Sequence, residues 1–277
     1  MTIKFFPYSW HIDNKQTEIT SIRTYGLNEN NESVCVHIDD FNPYAYIELP
    51  IHIRWTSTNV KYVQRQIDKM LGNRCPLVWK FVYKKKLYGA YLNSENNREE
   101  FPYLYCAFSN RKDAKILEYK LNKTDSRTGS QSTIYVSGGI GHISLKLHET
   151  DADPILQLTC CRKITTSSWL KCKGVEVNSE DRITSCHHEY SVEWEQIDPY
   201  DCNQTPKPVV MGFDIEVNSS NPSKMPDASD PRDEIFQISC VISSEGKDDK
   251  KYIFSLGDPI QEMVGIDVTI VKCASES

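Results

Sequence analysis

Between Pro208 and Ile242 lies the pattern that most restricts how this chain can fold. An apolar run, Val209-Val210-Met211-Gly212-Phe213, reaches Asp214-Ile215-Glu216, and after a polar loop Glu234 opens a second apolar run, Ile235 to Ile242. An apolar approach that ends in two acids one residue apart has the form of a buried strand delivering carboxylates to a site. Successive strand side chains point to opposite faces, so Asp214 and Glu216 share one face while Phe213 and Ile215 take the other. Two anions side by side repel unless a cation lies between them, and a hard divalent ion such as magnesium prefers oxygen ligands. Asp-x-Glu alone is a common spacing on solvated surfaces. Here the apolar approach and the second apolar strand favour a site.

Phe213-Asp214-Ile215-Glu216, followed by Asp230-Pro231 and by Glu234-Ile235-Phe236-Gln237-Ile238-Ser239, resembles the first exonuclease motif of family B DNA polymerases. In that family the aspartate and glutamate of this motif bind the two metals of a 3'-to-5' proofreading nuclease. Ions roughly 3.5–4 Å apart activate a water and stabilise the leaving oxygen. The resemblance therefore implies Asp214 and Glu216 as catalytic metal ligands, with Mg2+ or Mn2+ as cofactor. The family completes its site with aspartates in a Gly-Tyr-Asn...Phe-Asp motif and a Tyr-x-x-x-Asp motif. Neither occurs in this sequence, so the site is half present and its completion is expected from residues outside this chain.

At 277 residues the chain has room for two domains, and 39% hydrophobic with 25% charged residues is the composition of an ordinary globular protein. The net charge of -6 is unevenly placed: residues 206–277 hold 7 Lys and Arg against 13 Asp and Glu, which accounts for all of it. A basic footprint for nucleic acid over the whole chain is absent, though local patches remain open. The N-terminus lacks the basic and apolar regions of a secretion signal, and no stretch approaches the ~20 apolar residues of a membrane span. A nuclear or cytoplasmic location is expected, or a viral replication site if the source is viral. Ten cysteines then read as free thiols. A zinc site among Cys160, Cys161, Cys172, Cys186, His187, His188 and Cys202 is set aside because no Cys-x-x-Cys pair occurs among them.

The first fifty residues read as β, with alternation over Ser33–Ile38 and an aromatic strand over Phe41–Pro50. Val60, Val63, Ile67 and Leu71 share a helical face, with Asn59 or Thr58 as the expected cap and Gly72 as the stop. Leu77–Tyr83 reads as a strand with Trp79, Phe81 and Tyr83 on one face and Lys80 and Val82 on the other. Lys84, Lys85 and Lys86 are expected at a turn above a packed aromatic face. Phe101–Phe108 is a further strand, and Ser109 or Asn110 caps a helix through Ala114, Leu117 and Leu121. Two strand-helix units with hairpins between them predict a ferredoxin-like or RNA-recognition-like α+β module. Asp153 and Pro154 start a third helix, and Ser168–Leu170 and Tyr190–Trp194 read as strands.

The domains expected are residues 1–198, a polar Pro-rich linker at 199–208, and residues 209–277. The last would contain strands Val209–Glu216, Glu234–Ile242 and Lys251–Leu256 in hairpin order, with a fourth over Val264–Cys273. Family members carry Phe-x-Pro-Tyr-x-Tyr and Lys-x-Leu-Tyr-Gly elements similar to Phe41–Tyr46 and Lys85–Gly89 here. The resemblance, closest to eukaryotic replicative and large nucleocytoplasmic DNA virus enzymes, implies a polymerase N-terminal domain followed by the first strands of an RNase H-like exonuclease domain. One sheet face would lack its helices, so the sequence is read as the N-terminal part of a longer polymerase without its palm. Its partners would be primer-template DNA and a single-stranded 3' end, with dNTPs and a sliding clamp for the parent enzyme and no membrane. The alternative is a non-catalytic module that holds single-stranded nucleic acid on the Tyr83–Tyr91 hairpin.

Overall fold

The computed structural model describes residues 1–13, 19–86, 100–123, 132–258 and 267–275. They form two units, Met1–Asn203 and Gln204–Ser277. The first opens with strands β1 (Thr2–Asp13), β2 (Ser21–Asn28), β3 (Ser33–Asp39) and β4 (Tyr44–Glu48). Helix α1 (Ser57–Leu71), β5 (Val78–Lys85), β6 (Glu100–Ala107) and α2 (Arg111–Asn122) follow. Short strands β7 (Ile134–Val136), β8 (Gly141–Ile143) and β9 (Lys146–His148) lead to α3 (Pro154–Arg162). Strands β10 (Leu170–Lys173), β11 (Val175–Glu176), β12 (His188–Glu193) and β13 (Ile197–Pro199) end the unit.

Helix α1 forms where the apolar period demands it, and Val60, Val63, Ile67 and Leu71 are all buried. Its start lies earlier than the sequence implies. Thr56, not Thr58 or Asn59, is the cap: the Asn59 N–H donates to Thr56 Oγ1 at 3.4 Å and the Thr56 N–H donates to Asn59 Oδ1 at 2.7 Å. Asn59 completes this reciprocal box from inside the helix. Asn110 caps α2 by accepting from the Asp113 N–H at 3.0 Å, and Asp153 caps α3 by accepting from the Ile155 N–H at 2.8 Å.

Strands β5, β6, β4 and β9 form one sheet in that order, antiparallel throughout. Helix α1 connects β4 to β5 and α2 connects β6 to β9, a β-α-β-β-α-β chain path. Ala45, Ile47, Leu104 and Cys106 face these helices and build a core with Val63, Ile67, Leu117 and Leu121. Lys84 and Lys85 belong to β5 rather than to a turn. Trp79 packs on the helix side and donates to Asp68 at 3.3 Å, but Phe81 and Tyr83 are exposed, so the aromatic face is packed at one end only. Leu87–Tyr91 and the loop from Thr124 to Gln131 lie outside the described residues.

The second sheet has seven strands, ordered β11-β12-β3-β2-β1-β10-β13, with β12 and β3 parallel. Phe5, Ile22, Val36, Ile38, Leu170 and Val192 bury its inner face against Leu158 of α3 and against Tyr44 and Ala107 of the smaller sheet. A bulge between Pro7 and Ser9 places Gly26 opposite Pro7. A Cβ on Gly26 would lie 2.1 Å from the Phe6 carbonyl oxygen, so only glycine fits there.

The second unit holds β14 (Val209–Val217), β15 (Ile235–Ser244), β16 (Lys250–Leu256) and β17 (Val268–Cys273). The first three pair antiparallel and β17 runs parallel to β16. Among the described residues of this unit there is no helix. The expectation of a buried β14 is corrected: it is the sheet's edge strand, with Val209, Val210, Met211, Phe213 and Ile215 all exposed.

Candidate functional site

Strand β14 presents its side chains in two rows. The register sets Asp214 opposite Ser239 and Glu216 opposite Gln237, and continues through Ile253 and Ser255 of β16. The acids thus share a face with Ser239, Gln237 and Ser255, and with Ile253. The other row carries Met211, Phe213 and Ile215 beside Ile238, Cys240 and Ile242. Alternation therefore puts both acids on one face and Met211, Phe213 and Ile215 on the other.

Asp214 and Glu216 are both exposed. Asp214 Oδ1 accepts from the Ile215 N–H at 3.0 Å, and among the described residues no Lys, Arg or His pairs with either carboxylate. The ladder breaks register between Glu216 and Val217, a bulge that ends regular pairing beside the second acid. Gly212 precedes them in the same row, and a Cβ there would meet nothing within 4 Å. Two unpaired carboxylates on an open face are a donor set that fits a hard divalent cation.

The acids of the following loop are occupied differently. Asp230 accepts from Arg232 through Nε at 2.9 Å, Nη2 at 2.7 Å and the backbone N–H at 3.0 Å. These contacts hold its carboxyl down to about 2. Asp233 accepts from the backbone N–H groups of Ser220 at 2.5 Å and Asp227 at 2.8 Å, and Asp227 accepts from Ser229. Asp227, Asp230 and Asp233 therefore shape the loop that follows the acid strand, a role carried in the sequence only by their position among Ser, Asn and Pro.

Two polar groupings escape a reading of the sequence. Glu48 on β4 accepts from Lys86 at 2.5 Å and pairs with His148 of β9 at 2.8 Å. Across the larger sheet, Cys35 and His37 of β3 meet Glu189 of β12. The cysteines and histidines considered for zinc do not gather as a set: Cys160 and Cys161 are exposed on α3 and Cys172 is buried in β10.

Residues 145–277 match the model of the DNA polymerase family B exonuclease domain. The chain is 34% identical to DNA polymerase 120R of Invertebrate iridescent virus 3 over 98% of its own length and 24% of that protein. It is 33% identical to DNA polymerase 037L of Invertebrate iridescent virus 6, again over 98% of its length and 23% of the relative. The fold matches the family B DNA polymerase from the archaeon Pyrobaculum calidifontis with a TM-score of 0.59, 16% identity and coverage of 92% of this chain and 27% of that one. The class is thus a polymerase-associated exonuclease fold on a mostly β chain. Residues 145–277 belong to the exonuclease-domain family of DNA polymerase family B. The chain spans about a quarter of the length of the viral relatives it matches.

Proposed function

We propose that the chain is the N-terminal part of a family B DNA polymerase and that Asp214 and Glu216 are the metal ligands its first exonuclease strand contributes. The observation that carries this is the pair of unpaired carboxylates on one open face of β14, inside the matched exonuclease domain. Bound there, two divalent ions would supply the polarisation of water and of the leaving oxygen needed for phosphodiester hydrolysis. Asp214 and Glu216 of β14 offer oxygen donors, and Ser239 and Gln237 of β15 flank them as neutral hydrogen-bonding groups. Acids outside this chain complete the site, which has an RNase H-like fold. In the parent enzyme this domain removes a mispaired 3' end from primer-template DNA while a separate palm joins dNTPs. A sliding clamp is a further partner, and the place of work is the nucleus, the cytoplasm or a viral replication site.

Residues 1–198 form the polymerase N-terminal domain in this proposal, joined by 199–208 to 209–277. The strand order β5-β6-β4-β9, with helices after the first and third strands of the chain path, supports a ferredoxin-like module within it. Among the described residues no helix is long and apolar enough to cross a membrane. In the full-length polymerase, Asp214→Ala is expected to abolish 3'-to-5' digestion of single-stranded DNA and to leave primer extension intact. Loss of both activities together would refute the assignment.

A further inference from the structure

Cys35 and His37 stand two residues apart on β3, on the same face, and the parallel register places Glu189 of β12 beside Cys35. One donor atom from each converges on a common point, all within 4.8 Å of one another. His37 Nε2 lies 2.7 Å from Glu189 Oε1 and 3.8 Å from Cys35 Sγ. One ring nitrogen thus faces both a carboxylate and a thiol, and a single proton on it can serve only one of them. A cation at the point of convergence would serve all three.

We propose that Cys35, His37 and Glu189 form a zinc site on the outer face of the larger sheet, with the fourth position open to solvent or to a neighbouring donor. A thiolate, an imidazole and a carboxylate are the donor types zinc takes. Tetrahedral zinc, with Zn–N and Zn–O about 2.0–2.1 Å and Zn–S about 2.3 Å, sets N···O roughly 3.3 Å and S···N roughly 3.6 Å apart. The observed 2.7 and 3.8 Å differ from those values by about 0.6 and about 0.2 Å. The present geometry is that of the same cluster closed on a proton. Binding releases the Cys35 thiol proton to solvent and holds His37 as a neutral imidazole with its proton on Nδ1, so that one thiolate with one carboxylate balances the charge of the ion.

The surroundings orient the ligands as a metal site needs. Thr184 donates its hydroxyl to Glu189 Oε2 at 2.6 Å and its N–H at 3.1 Å, while the Ile183 N–H reaches Oε1 at 3.2 Å. These bonds leave the Oε1 lone pair that faces His37 for the ion, and they fix the carboxylate in the way outer partners fix metal ligands. Cys35 and Glu189 are buried, and the His37 side chain keeps 18% of its exposure, which gives the ion an entry.

The test is a Co2+ titration of the 277-residue chain, followed by displacement with Zn2+. One thiolate-coordinated Co2+ per chain is expected, with tetrahedral visible bands, a thiolate-to-cobalt charge-transfer band, and loss of both on adding Zn2+, apart from any weaker binding at Asp214 and Glu216. Cys35→Ser should weaken binding by more than about 100-fold, since even losses of outer partners reach 10–100-fold, and should remove the charge-transfer band. Cys160→Ser, on the exposed side of α3, should change neither. Absence of the charge-transfer band in the unaltered chain would overturn the proposal whether or not any variant folds. Retention of that band in Cys35→Ser would do the same.

Discussion

Gln157 is the joint between α3 and the smaller sheet, and its loss can be costed from the bonds it makes. Pro43 and Leu49 turn backbone groups toward β6, through the Phe108 N–H to Pro43 O bond and the Leu49 N–H to Pro102 O bond. The residues alternating with them, Tyr44, Tyr46 and Glu48, turn the other way. Tyr46 and Glu48 lie opposite His148 and Lys146 of β9. Strand β9 ends there, and the Gln157 side chain takes its place for Tyr44. It accepts from the Tyr44 N–H at 3.1 Å and donates to the Tyr44 carbonyl at 2.7 Å, with a further 3.3 Å bond to the Glu149 carbonyl.

Gln157→Ala leaves the Tyr44 N–H and C=O buried without these partners. At about 1–3 kcal/mol for each of the two buried groups left unpaired, the loss is about 2–6 kcal/mol. Gln157→Met keeps the volume and removes both polar ends, so it should cost nearly as much. Gln157→Glu retains an acceptor for the Tyr44 N–H, but its ionised form has no donor for the carbonyl. All five tryptophans, at 10, 55, 79, 169 and 194, lie in the first unit, so urea unfolding followed by tryptophan fluorescence reports on it alone. With a urea slope of about 2–3 kcal/mol/M, the midpoint should fall by about 1–2 M. Ala and Met variants that both stay within about 0.5 kcal/mol of the unaltered protein would refute the reasoning.

Three smaller predictions follow from the same contacts. Thr56→Ala removes one half of the box at the start of α1 and should cost about 1 kcal/mol in urea unfolding, with Thr56→Ser restoring most of it. Burial pushes the Glu48 carboxyl up, but hydrogen bonds from Lys86 and His148 outweigh it and hold the group below its usual value. A depressed folded-state value stabilises above the unfolded carboxyl value of about 4.3 and is lost as pH falls through the folded one. Glu48→Gln should therefore shallow the acid limb of a stability-against-pH curve and leave its alkaline limb unchanged. Asp230→Ala frees Arg232 and should speed amide exchange in residues 218–234 without altering exchange in β15.

How much is legible in the sequence varies with the range of the interaction. The buried face of α1 is plain from the spacing of Val60, Val63, Ile67 and Leu71, because that periodicity is local. Its first turn is misplaced because Asn59 suits the cap position as well as the N3 position it occupies, and only the chain's path to Thr56 decides. Alternation gives the shared face of Asp214 and Glu216, while the burial expected for β14 does not follow. An apolar run records suitability for burial and not the presence of a covering element. Glu189 meets Cys35 only because β12 pairs parallel with β3, a pairing with no signature in local spacing. Asp227, Asp230 and Asp233 accept from backbone N–H groups of their own loop, an arrangement set by loop geometry and without a signature in local spacing.

The central claim is that Asp214 and Glu216 form one half of a divalent-metal site. Calorimetric titration of Mn2+ into the 277-residue chain, beside the Asp214→Ala variant and a single-stranded DNA digestion assay, tests it most directly. Weak binding that disappears in Asp214→Ala, with no digestion by either chain, is the predicted result. Binding indifferent to Asp214→Ala would contradict the account, and robust Asp214-dependent digestion would show that acids within this chain already complete the site.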